Sequence, residues 1–210
     1  MTNRRLLLQV SLALGCLFAG AGFAGAADEA KPAAKPAAKP ADKPAMTLSL
    51  GGTTYLHRGS KGGQHKFTPQ RDPDLQQKWR DMVAVNLHEE ATTPAMVAEF
   101  ANKALATYQA NGKVLKTASV PATASRPAEH LIVAVIGDNN YNYLEAVFAR
   151  VMLIDGAGVI AVYSHREYGF PPGPLMTKWL ETDGANAERA LMAWTGIPKA
   201  AALKKLPVTP

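Results

Sequence analysis

The chain has 210 residues, with 23 lysines and arginines against 17 aspartates and glutamates, and one cysteine, Cys16. Six of the cations (Arg4, Arg5, Lys31, Lys35, Lys39, Lys43) and three of the acids (Asp28, Glu29, Asp42) precede Met46, which leaves 17 cations against 14 acids in the remainder. So small an excess, without basic runs or interleaved aromatics, argues against nucleic acid as a partner, and a lone cysteine excludes an internal disulfide or a cysteine-rich zinc site.

Met1–Ala26 reads as a cleaved secretory signal peptide. Arg4 and Arg5 form a positive start, an apolar stretch runs from Leu6, and Ala24-Gly25-Ala26 supplies the small-residue cleavage site. Gln9 and Ser11 interrupt the apolar run, which argues against a membrane span, so no transmembrane segment is expected in the mature chain. The expected location is periplasmic or secreted. Leu14-Gly15-Cys16 partly matches a lipidation box, making a lipoprotein the alternative, but Ala13 stands where leucine is usual and apolar residues continue after the cysteine. Residues 27–45 repeat Lys-Pro-Ala-Ala, a composition that favours an extended, semi-rigid linker.

Residues 46–210 are long enough for one domain. Met46–Arg58 alternates apolar and polar residues around Gly51-Gly52 and reads as a hairpin. Gly59–Gly63 is a second turn, and His65–Thr68 a short strand stopped by Pro69. Asp72-Pro73 opens a short helix through Lys78, and Met82–Val85 is a strand. Thr93-Pro94 starts the clearest helix, in which Met96, Val97, Phe100, Ala104 and Tyr108 recur at helical spacing up to Asn111-Gly112.

Strands are expected at Lys113–Val120, His130–Ile136, Tyr143–Ile154 and Gly158–Tyr168. Helical segments follow Pro174 and run over Ala187–Trp194, with the last dozen residues loose. Runs of strands with helices between and after them predict an α+β fold, a mainly antiparallel sheet with helices on one face. The helix between the strands near 85 and 115 leaves room for one parallel crossover.

The candidate ligand-binding residues are Arg150, Tyr163, His165 and Glu167. A four-residue loop at Asp155–Gly158 would pair Ile154 with Val159, Arg150 with Tyr163 and Phe148 with His165, placing all four on one face beside Phe148 and Met152. A cation, a phenol, an imidazole and a carboxylate together suit an anionic ligand or acid–base chemistry. The competing explanation is a solvated face with a cross-strand ion pair.

His57 and His65 flank a glycine-rich turn and would meet across a hairpin, but two histidines do not complete a metal site, and no H-E-x-x-H occurs. No metal or cofactor is therefore expected. Tyr168–Pro174 is a stiff loop carrying an aromatic residue directly after the candidate site, suited to a pocket wall or a partner-binding lip.

These features point to an exported, non-enzymatic binding or interaction module. Its expected partner is another envelope protein or a small anionic ligand. The alternatives are a small periplasmic acid–base hydrolase using His165 with Glu167 or Glu145, and an inhibitor or immunity-type protein.

Overall fold

The computed structural model describes residues 46–72, 75, 78–137 and 143–209. The signal peptide and the linker expected at 1–45 therefore lie outside the described residues, as does most of the short helix expected after Asp72.

Among the described residues, three two-residue hairpin turns in the sheet are built alike. Gly51-Gly52, Gly62-Gly63 and Asp155-Gly156 each have positive φ at both positions, from 49° to 79°. That is the two-residue turn whose twist matches flanking antiparallel strands, and it explains the glycines. The turns join β1 (Thr47–Leu50) to β2 (Thr53–Lys61), β2 to β3 (Gln64–Pro69), and β7 (Tyr143–Ile154) to β8 (Ala157–Tyr168).

With β4 (Asp81–His88), β5 (Gly112–Val120) and β6 (Glu129–Gly137), these strands form one eight-stranded antiparallel sheet in the order β1-β2-β3-β4-β8-β7-β6-β5. No parallel pair is present among the described residues. Helix α1 (Pro94–Asn111) instead carries the chain from β4 to the far edge, capped by the Thr93 hydroxyl, which accepts from the Met96 N–H at 3.3 Å. The fold class is α+β, as the element order predicted.

The helices do not share one face, which corrects the sequence expectation. Adjacent residues of β7 point to opposite faces. Glu145 lies near Tyr108 of α1, whereas Arg150 reaches the carbonyls of Leu191 and Trp194 at the far end of α3 (Ala185–Ala193). Helix α1 therefore covers one face through Val97, Phe100, Ala104 and Tyr108. The other face is covered by α2 (Gly173–Trp179), a π-helical turn at Leu180–Gly184, α3 and α4 (Ala200–Leu203). Phe67, Val83, Phe148, Met176, Leu191 and Leu203 form the core on that second side. The central parts of β7 and β8 are apolar on both faces because both are covered.

The described end of the chain, to Thr209, is not loose, which corrects the expectation for the last dozen residues. Leu203 and Leu206 are buried, and both the Thr209 N–H and its hydroxyl donate to the Ser60 carbonyl, at 2.8 and 2.9 Å.

Candidate functional site

Tyr163, His165 and Glu167 alternate along β8 and share a face by the period of two. The Asp155-Gly156 turn sets a register two residues from the expected one: Phe148 lies opposite Tyr163, and Ala146 opposite His165. A slip of two residues preserves the face, so Tyr163, His165 and Glu167 still share it although their partners on β7 change.

The other neighbour of β8 supplies the centre of the site. Asp81, the first residue of β4, stands directly across from His165. One Asp81 oxygen, Oδ1, accepts from the Tyr163 hydroxyl at 2.7 Å and lies 2.9 Å from His165 Nδ1. The second oxygen, Oδ2, accepts from Arg71. On the far side of the ring, His165 Nε2 lies 3.1 Å from Glu167 Oε1, and Arg80 donates to Glu167 Oε2 at 3.0 Å. His165 therefore has a carboxylate within hydrogen-bond distance of each ring nitrogen. Asp72 braces the entry to β4 by accepting from the Arg80 and Asp81 N–H groups, both at 3.2 Å.

Burial alone raises the Asp81 carboxyl. The hydrogen bonds from His165 and Tyr163, with the charges of His165 and Arg71, outweigh it and hold the group below its ordinary value. Burial, followed by the Asp81 charge, drives the Tyr163 phenol far up, so it remains a donor. Trp179, the last residue of α2, lies flat on the His165 ring, with centroids 4.0 Å apart and planes 4° from parallel. The π-helical turn begins at the next residue, so the wider helical step follows directly from the residue that covers the imidazole.

Arg150 is not part of this group. Its Nε and Nη2 grip both oxygens of Glu129, at 2.9 and 3.0 Å, and its Nη1 donates to the carbonyls of Leu191 and Trp194. Both charged residues are buried. This guanidinium ties the end of α3 to the sheet and is spent on internal acceptors. Glu145, the other acid considered for His165, lies on the α1 face. There it accepts from Arg166 at 2.7 Å, whose guanidinium is held between the Trp79 and Tyr143 rings.

Sequence reasoning missed Asp81, Arg71, Arg80 and Trp179. An acid at the head of a strand was the only available signal for Asp81.

His57 and His65 do meet, through a third residue. Arg58 is an extra residue in β2, a bulge that leaves His57 paired with Phe67 and Ser60 paired with His65. The bulge puts His57 and Ser60 on one face, although residues three apart in a regular strand face opposite ways. The Ser60 Oγ lies 2.8 Å from His57 Nε2 and 2.8 Å from His65 Nδ1, and all three residues are buried. No cluster of three metal-ligating side chains occurs among the described residues. Burial lowers both imidazoles from the ordinary value of 6.5. His57 reinforces the shift at His65, whereas a backbone hydrogen bond at Gly59 opposes it at His57.

The fold and these two sites define the molecule as an α+β module whose sheet is covered by helices on both faces. In part of its structure the chain is similar to the Ran-binding protein Mog1p of Saccharomyces cerevisiae. That match has a TM-score of 0.37 and 12% identity, over 68% of this chain and 83% of that one. A mutant Mog1 protein matches at TM-score 0.36 and 10% identity, over 68% and 84% of the two chains. No known family and no curated protein matches the sequence.

Proposed function

We propose that this chain is an exported, periplasmic or secreted module that acts by binding another envelope protein rather than by catalysis. Phe170 carries the reading. It is 91% exposed, on the Gly169–Gly173 connection that leaves β8 just beyond Glu167, and Leu175 beside it is 46% exposed. A large apolar side chain held in water on a proline-flanked loop is what a partner's socket would receive. The half-exposed guanidinia of Arg71 and Arg80 lie at the same end of β8 and suit an acidic rim around that socket.

The chemistry of the neighbouring network supports binding over catalysis. His165 is 5% exposed, Trp179 covers its ring, and both ring nitrogens face the protein's own carboxylates. A general base needs a ring nitrogen within reach of a substrate proton, and this one has none to spare. The charged leader and the Lys/Pro/Ala spacer support export. No helix among the described residues is long and apolar enough to cross a membrane.

The test is site-specific photo-crosslinking in the intact envelope, with a photoreactive phenylalanine at position 170 and, as a control, at Leu115, which is 44% exposed on β5. The expected result is one discrete adduct at 170 that is absent at 115, on a chain whose mass begins at residue 27. Equal background at both positions would remove the binding surface, and an unprocessed chain in the cytoplasm would remove export.

A further inference from the structure

The segment from Leu203 to Thr209 closes over the edge of β2 and over the His57–Ser60–His65 row. Strand β1 pairs with β2 only from Thr53 to Leu56, so it leaves the later part of that edge uncovered. Two isolated hydrogen bonds take over: His57 N–H to the Met46 carbonyl, at 2.9 Å, and Thr209 N–H to the Ser60 carbonyl, at 2.8 Å. Gly59 leaves room for the approach, since a Cβ there would stand 3.0 Å from the Thr209 hydroxyl, closer than an ordinary contact. Beneath the segment lies a cleft of about 290 Å³, with His65, Leu87, Leu203 and Leu206 among its walls.

We propose that residues 203–209 form an acid-released strap, latched through Ser60 and opened by proton uptake at His57 and His65. Ser60 is the link. Its carbonyl holds Thr209 from outside the sheet, and its hydroxyl holds both imidazoles from inside. With neutral rings the single hydroxyl proton goes to one imidazole, and the other ring donates to the oxygen. With both rings protonated, two cations flank one buried hydroxyl, and the row is stable only if Ser60 moves and water enters.

The surroundings do not offset that charge. Phe67 presents its ring to His57 at 5.3 Å, and Val85 of β4 stands opposite His65. Strand β1 carries no charged residue. The charged groups bordering the cleft are Lys61, Glu89, Glu90 and Lys204, and Lys204 is already paired with Glu89. Arg58 faces away, donating to Thr68 and the Pro69 carbonyl. His88 packs against the Phe100 ring, tilted by 39°, and lies 3.4 Å from Glu90.

The sign follows from the direction of the shifts. Both imidazoles lie below their ordinary value of 6.5 in the closed form, so latching is complete above 6.5 and is lost as pH falls below it. Release uncovers the β2 edge together with Leu203 and Leu206. An exposed strand edge beside apolar surface is a template for strand addition by a partner.

Amide hydrogen exchange on the full chain at about pH 7.5 and about pH 5.5, corrected for intrinsic rates, tests this. Protection of 203–209 should drop about tenfold or more at the lower pH while β7 and β8 stay protected. Thr209→Pro removes the N–H and the hydroxyl at an exposed site. At neutral pH it should show the pattern of the acid form and lose the response to pH. Equal protection of the strap at both pH values, or a pH response retained in Thr209→Pro, would overturn the proposal.

Discussion

Two buried histidine rows lie on the same face of one sheet, and they handle charge in opposite ways. His165 has a carboxylate at each ring nitrogen, and guanidinia behind both carboxylates. His57 and His65 share one neutral hydroxyl. Exposure does not separate them, at 5% for His165 against 8% and 6% for the pair. The difference lies in what the opposing strand supplies. Strand β4 places Asp81 across from His165 and Val85 across from His65. One row is therefore a compensated ionic network and the other is a neutral one that charge disrupts.

The two rows also separate along the pH axis. Asp81 is held below its ordinary 3.8, so its contribution is complete above that value and is lost only as pH falls further. The histidine pair begins to lose its contribution below 6.5.

The comparison breaks most visibly if Asp81 loses its charge. Asp81→Asn preserves shape but turns an amide toward His165 and leaves Arg71 without its closest acceptor. Removing one partner of a buried ionic network costs about 3–5 kcal/mol, and partial exposure of Arg71 places the expected loss near about 3 kcal/mol. Chemical denaturation should show the midpoint falling at unchanged slope. A loss of under about 1 kcal/mol would mean that the row is not compensated through Asp81.

The neutral row gives a smaller effect. Ser60→Ala removes the hydroxyl and leaves two buried imidazole nitrogens facing one another without a bridge, at a cost of about 1–3 kcal/mol. The same denaturation experiment should place it between wild type and Asp81→Asn. If Ser60→Ala proved as stable as wild type, the hydroxyl would carry none of the contact between the two rings.

Much of the first row was legible in sequence because it rests on local periodicity. Tyr163, His165 and Glu167 share a face in any strand that contains them, and the turn error of two residues left that face unchanged. Asp81 was not legible, since its place opposite His165 depends on pairing across 84 positions, which no local pattern encodes. Arg150 had the right face but the wrong partner, because Glu129, Leu191 and Trp194 reach it only through tertiary packing. The second row was hidden for another reason. The bulge at Arg58 reverses the facing of every later β2 residue, and Gly59 beside it reads in sequence as the start of a turn. Coverage of both sheet faces was partly readable, in the doubly apolar Leu131–Ile136 and Val159–Val162 runs, though those runs do not say which helix lies on which side.

The smallest expected effect sharpens the comparison at its exposed rim. Arg80 donates to Glu167, but its own side chain is 54% exposed, and water screens a pair placed there. Arg80→Ala should therefore cost between zero and about 1 kcal/mol, because Glu167 keeps the His165 contact and gains water in place of the guanidinium. If Arg80 belongs to a binding rim, the same substitution should weaken crosslinking at position 170 while the denaturation midpoint stays where it was. A midpoint shift comparable to Asp81→Asn would make Arg80 a full member of the buried network, and the boundary between internal charge compensation and outward-facing surface would move one residue further out.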